Sequence, residues 1–169
     1  MSINESQRAI IEQQIGRAPH GLLDIAYATD KGVPVILRMA PIVDDKPFPT
    51  LYWLCSKDLH KAIAKLETHG LVKQLEQQLQ EDPDFMQAYQ ANQRDYVAAR
   101  WANCTDEEKT LLTSKGFAKL FDSYGIGGLR DWQQIRCLHM HYAHHLVDGN
   151  VIGQWLDDHY QLNHLSLAI

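Results

Sequence analysis

Every run of β-branched and aromatic residues long enough to form a strand lies between Leu22 and Cys55, and the chain after Ser56 follows a helical period instead. Strands grouped first and helices grouped later argue against a doubly wound α/β fold, in which the two alternate. The order predicts an α+β chain, with a small N-terminal antiparallel sheet packed against a larger C-terminal helical part. Three strands are expected, at 22–29, 33–39 and 50–55, the first two joined by a hairpin through Asp30-Lys31-Gly32. Pro34 opens the second strand, where a missing N–H is tolerated, and this predicts an edge strand. Tyr52 and Trp53 must point to opposite faces of the third. Ahead of the sheet, residues 4–15 place Ile10, Ile11 and Ile15 on one helical side, with Gly16 after them.

Past Ser56 the helices are marked by their ends. Leu59, Ile63 and Leu66 form one stripe closed by Gly70, and Leu71, Leu75 and Leu79 form a second. Asp82-Pro83 is a cap followed by proline in the first turn, and Phe85, Tyr89 and Tyr96 continue that helix to about Trp101. Thr105 to Glu108 matches a capping box, Gly116 stops the helix it opens, and a short helix around Leu120 follows. The glycine-rich stretch Gly125-Ile126-Gly127-Gly128 leads into a predicted long helix from Arg130 to Val147, ended by Asp148-Gly149-Asn150. A last helix is expected over 151–159, with Trp155 turned inward. The 169 residues suit one domain, with 1–55 as its helix-and-strand part and 56–169 as its helical part.

The charge balance narrows the partners. With 16 basic and 21 acidic side chains the net charge is −5, which argues against indiscriminate binding to nucleic acid or acidic membranes. No stretch approaches the roughly 18 apolar residues that span a bilayer. The first residues carry no basic-then-apolar signal pattern. Three cysteines (Cys55, Cys104, Cys137) show no disulfide-framework spacing, so a cytoplasmic chain with reduced thiols is expected. Its partner is expected to be a small molecule or a protein.

The unusual feature is histidine, with nine in the chain and four of them (His139, His141, His144, His145) close together. On a helical wheel with Cys137 at zero, His141 falls near +40° and His144 near −20°, at roughly 100° per residue. Ile135, Leu138, Tyr142 and Leu146 gather at roughly 100–180°, the expected core face, with His139 beside it. Cys137, His141 and His144 thus share a separate stripe on which side chains one turn apart converge. A thiolate and imidazoles suit a transition metal, zinc above all, and Cys55 at a strand end is the outside candidate for a fourth ligand. An open coordination position would let such a metal activate water for hydrolysis. The competing reading leaves the histidines structural, solvated near a helix C-terminus. A third makes Cys137 or Cys55 a nucleophile with histidine as base, against which stands the placing of Cys137 in mid-helix.

The glycine stretch supports a different chemistry. Gly127 and Gly128 precede an expected helix start, and helix N-termini bind anions through free N–H groups. Arg130, Arg136 and, from the second strand, Arg38 are the candidate cations of an anion-binding site. The spacing fits neither a Walker A loop nor a dinucleotide fingerprint, and a flexible connector explains the same glycines. A non-catalytic anion-binding or protein-interaction module is therefore the alternative to a metal-dependent hydrolase.

Three blocks carry a family resemblance: Pro34-Val-Ile-Leu-Arg38-Met-Ala-Pro41, Pro47-Phe-Pro-Thr-Leu-Tyr-Trp-Leu-Cys55 and Ile135-Arg-Cys-Leu-His-Met-His-Tyr-Ala-His144. With the closing Gly149-Asn-Val-Ile-Gly153-Gln-Trp155 they resemble the signature blocks of domain-of-unknown-function family 501, over about residues 15–156. The resemblance implies a single-domain bacterial protein and supplies no activity. Arg136 stands where the family often has lysine, and Leu54 where threonine usually precedes the cysteine.

Overall fold

The computed structural model describes residues 3–168. Helix α1 (Glu5–Ile15) starts at Asn4, whose side chain forms a reciprocal capping box with Gln7, and ends at Gly16 in the left-handed conformation. The main sheet has strands β1 (Leu22–Ala28), β2 (Pro34–Met39) and β5 (Tyr52–Leu54) in the order β1-β2-β5, antiparallel throughout. Between β2 and β5, the two-residue strands β3 (Ile42–Val43) and β4 (Lys46–Pro47) form a separate small ladder.

β2 is the central strand, which corrects the edge placement expected from Pro34. Proline has only to avoid a position that must donate to the ladder. At the first residue of β2, opposite Ala28, Pro34 meets that condition without lying on an edge. Alternation then divides the sheet. Leu37, Met39 and Cys55 pack with Ile11 of α1 on one face. On the other, Ile36, Tyr52 and Leu54 join the main helical core.

Helices α2 (Lys57–Thr68), α3 (Leu71–Glu81), α4 (Pro83–Asn103), α5 (Asp106–Ser114) and α6 (Ala118–Ser123) follow where the caps predict them. Ser56, Asp82 and Thr105 each accept a backbone N–H at the start of the helix that follows. A 3₁₀ turn spans Ile126–Gly128, and α7 (Leu138–Asp148) and α8 (Val151–Tyr160) close the fold. The expected helix from Arg130 does not form before Leu138. Cys137 sits at φ 58°, ψ 84°, a left-handed conformation that no right-handed helix can include, so the helix begins after it. The segment before it turns on itself instead, the Gln133 N–H donating to the Asp131 side chain and the Trp132 indole to the Leu129 carbonyl.

α7 is the helix on which the others are assembled. Leu138, Tyr142 and Ala143 are fully buried in the core with Ile36, Ile63, Leu75 and Ile152, so α7 contacts the sheet, α2 and α8 at once. Among the described residues no helix is long and apolar enough to cross a membrane.

Candidate functional site

The site is built outward from Arg100. Tyr89, Gln93, Tyr96 and Arg100 lie on one buried stripe of α4 at helical spacing, and Arg100 retains only 2% of its surface. Its guanidinium donates to three carbonyls, Nη1 to Pro49 at 3.1 Å and Nη2 to Phe121 at 2.6 Å and Tyr124 at 2.5 Å. The rings of Tyr96 and Phe121 lie 5.4 and 5.3 Å from its central carbon. Among the described residues no carboxylate lies within ion-pair distance of it, and its Nε has no partner. Burial pushes the guanidinium below its ordinary value while Tyr96 pushes it back, and an arginine so placed keeps its proton. The interior thus holds a positive charge that carbonyls and rings solvate, with the Asp122 charge acting on it only from beyond ion-pair distance.

The second part of the site is the glycine turn with the start of α7. The Gln93 side chain accepts from the Ile126 N–H at 2.7 Å and donates to the Tyr89 hydroxyl, which donates to the Gln134 carbonyl. Glu76 accepts from the Ile135 N–H and Glu67 from the Leu138 N–H. Gly127, at φ 75°, lies so close to the Arg136 carbonyl that a Cβ there would come within 2.5 Å of it. These contacts hold Cys137 in its left-handed conformation, which costs a residue with a side chain about 1–3 kcal/mol. Its thiol is half-buried at the N-terminus of α7. Burial, with the nearby Glu67 charge, holds the thiol above its ordinary value, and the backbone at Met140 and His139 offsets this only in part.

Arg100 and Cys137 line one cavity of about 240 Å³, together with Tyr96, Thr50, Gly127 and Gly128. Elements distant in sequence are brought together there: the chain before β5, the C-terminal part of α4, the 3₁₀ turn and the start of α7. Of the sequence-predicted anion-binding residues, the structure brings Gly127 and Gly128 to this cavity and not the three arginines. Arg38 is engaged in a two-point pair with Asp24, at 2.6 and 3.0 Å, and with Asn103. Arg130 lies over the Tyr124 ring at 4.8 Å, and Arg136 is exposed. Sequence reasoning missed Arg100, although a charged residue on the stripe of Tyr89 and Tyr96 was a readable signal.

The histidines lie elsewhere than the wheel placed them. His141 and His144 are each 1% exposed, on the core side of α7 rather than on a separate polar stripe, and the Nε2 of each makes no hydrogen bond, although that of His144 stands 3.7 Å from the Asp148 carboxylate. His144 Nδ1 faces the Asn150 amide at 2.9 Å. Its ring stacks on Tyr52 and meets Tyr96 edge-on. Burial drives His141 down to about 3, with His144 adding to the effect, and burial lowers His144 likewise. His145 bridges Asp157 at 2.8 Å and the Asn150 N–H. His139 pairs with Glu67 at 2.9 Å and reaches the His60 carbonyl. Cys55 lies on the α1 face of the sheet, its thiol on the Pro34 carbonyl at 3.3 Å and pushed up to about 12 by burial. Among the described residues no three His, Cys, Asp or Glu side chains are placed to hold a metal ion.

A family model described as "Protein of unknown function (DUF501)" matches residues 25–158, so it covers both Arg100 and Cys137. No curated protein and no solved structure matches the chain.

Proposed function

The chain belongs to the DUF501 family of proteins of unknown function, and we propose that it binds a small anionic molecule, a carboxylate or phosphate, in the cavity over Arg100. One observation carries the reading: a guanidinium 2% exposed, held by carbonyls and aromatic rings, with an unpaired Nε and, among the described residues, no carboxylate within ion-pair distance. A buried charge left unpaired costs several kcal/mol, and an entering anion removes much of that cost through charge-assisted hydrogen bonds of about 1.5–3 kcal/mol each. The cavity, at about 240 Å³, lies below the range that holds drug-sized ligands, which suits a small metabolite. Gly127 and Gly128 carry no side chain into it and leave the ligand access to the backbone.

The metal-assisted hydrolysis suggested by Cys137, His141, His144 and Cys55 finds less support. Three protein ligands around one zinc are the usual minimum for a catalytic site, and these residues do not assemble into such a group.

The test is thermal denaturation and calorimetry of the whole protein, titrated with phosphate and with small mono- and dicarboxylates at constant ionic strength. Saturation at about a hundred times the dissociation constant is expected to stabilise the fold by about 2.7 kcal/mol. Arg100→Gln should abolish the response. No stabilisation of the unmodified protein by any of these anions at millimolar concentration would overturn the reading, whatever the variant does.

A further inference from the structure

We infer that Cys137 is a nucleophile and that the molecule bound over Arg100 is an anionic electrophile, its charged group on the guanidinium and its electrophilic carbon at the Cys137 sulfur. The inference rests on the anion-binding reading and adds to it the class of chemistry. A thiol at a helix start is by itself unremarkable, and so is a cysteine in a cavity wall. What distinguishes Cys137 is that it shares its cavity with the unpaired, almost wholly buried Arg100. Cys104 and Cys55 are buried, and each thiol already lies on a main-chain carbonyl. Cys137 alone is partly open to solvent, and no carbonyl partner is found for its sulfur among the described residues.

Three features suit the Cys137 sulfur to attack. Its left-handed backbone turns the chain sharply just before α7, so the residue precedes the helix instead of lying along it. The sulfur stands at the N-terminus of α7, where the helix dipole favours negative charge as it develops, against the burial and the Glu67 carboxylate that push the thiol up. Gly127 and Gly128, which line the same cavity without side chains, leave room for the incoming carbon. In the step itself, the thiol gives its proton to water and the sulfur lone pair forms a bond to the electrophilic carbon. The leaving group departs with the electrons of the bond that breaks, and no oxidant or reductant is consumed. Arg100 holds the anionic group throughout and takes no part in bond making.

Iodoacetate and iodoacetamide provide the test, because they deliver the same kind of carbon with and without a negative charge, and iodide leaves in both. The native protein is treated with each, and alkylation of Cys55, Cys104 and Cys137 is followed separately by peptide mass spectrometry. Cys137 is expected to react first. Its iodoacetate-to-iodoacetamide rate ratio should exceed that of the same residue in the urea-unfolded chain by about tenfold or more, as a local cation concentrates an anionic reagent. Phosphate should slow the iodoacetate reaction, and Arg100→Gln should return the ratio to the unfolded value. A native ratio equal to the unfolded one, or Cys137 reacting no faster than Cys55 and Cys104, overturns the inference, and neither comparison depends on a variant that folds. If phosphate stabilises the protein while the ratio stays at the unfolded value, the thiol inference fails and the anion site stands. If neither phosphate nor any of the carboxylates stabilises the protein, both fail.

Discussion

At the residue scale, His141 is an imidazole the fold keeps neutral. Burial lowers it to about 3, and the neighbouring His144 acts in the same sense. The sign of the pH effect follows from the unfolded chain, where histidine takes up a proton near pH 6.5. Below that pH the unfolded state binds a proton that folded His141 refuses until about 3, so stability present above the unfolded value is lost as the pH falls. One such group contributes about 1.4 kcal/mol per pH unit once the pH is well below 6.5. Urea denaturation from about pH 7.5 down to about pH 4.5 should show this decline, and His141→Gln should flatten it while lowering stability at the neutral end. An acid limb unchanged in the variant would contradict the assignment. The sequence revealed that the histidines were unusual but misjudged their surroundings. A wheel reports which residues share a side of one helix, whereas α7 packs against the sheet, α2 and α8, and its His141 and His144 meet Tyr89 and Tyr96 of α4. Arg100 was hidden for the opposite reason, since a lone charge on an aromatic stripe ordinarily reads as a tolerated exception.

At the element scale, the decisive segment is the irregular chain from Leu129 to Cys137. Glycines followed by a histidine-rich amphipathic stretch predicted one long helix there. The observed break comes from Tyr89 and Glu76, side chains on other helices that capture the Gln134 carbonyl and the Ile135 N–H, while Gln93 and Glu67 hold the Ile126 and Leu138 N–H groups on either side. None of these partners lies within the segment, so no local pattern could announce them. Two adjacent glycines measure how closely this turn is packed. Gly127 and Gly128 share almost the same positive φ, 75° and 76°, so alanine strains the backbone equally at both. Only at Gly127 would the added methyl meet a carbonyl, that of Arg136, while at Gly128 it points into open space. Gly128→Ala should therefore cost about 1 kcal/mol and Gly127→Ala about 2 kcal/mol more. Equal melting temperatures for the two variants would show that the turn yields at Gly127. The capped helices, by contrast, were legible: Ser56, Asp82 and Thr105 satisfy N–H groups within three residues of themselves, and that information is local.

At the scale of the whole molecule, the sheet separates chemistries that the sequence invited into one site. Cys55 belongs to the cluster around Ile11, on the face away from α7, while His141 and His144 lie among Tyr89, Tyr52 and Tyr96. Cys137 is set off again, beyond the first turn of α7 and at the Arg100 cavity. Elemental analysis of untagged protein purified without chelator is therefore expected to give far less than one zinc per chain. Stoichiometric metal lost in both Cys137→Ser and His141→Ala would reverse that expectation and restore the metal site. The α+β division into a three-stranded sheet and a helical body was determined by the sequence itself, because residue periodicity, caps and turn glycines act over a few neighbours and are written in order along the chain. Only the tertiary structure decided that Arg100 and Cys137 share a cavity and that, among the described residues, the histidines and cysteines form no group of three placed to hold a metal. Burial and charge compensation depend on which residues lie close in space, and these stand on elements dozens of residues apart.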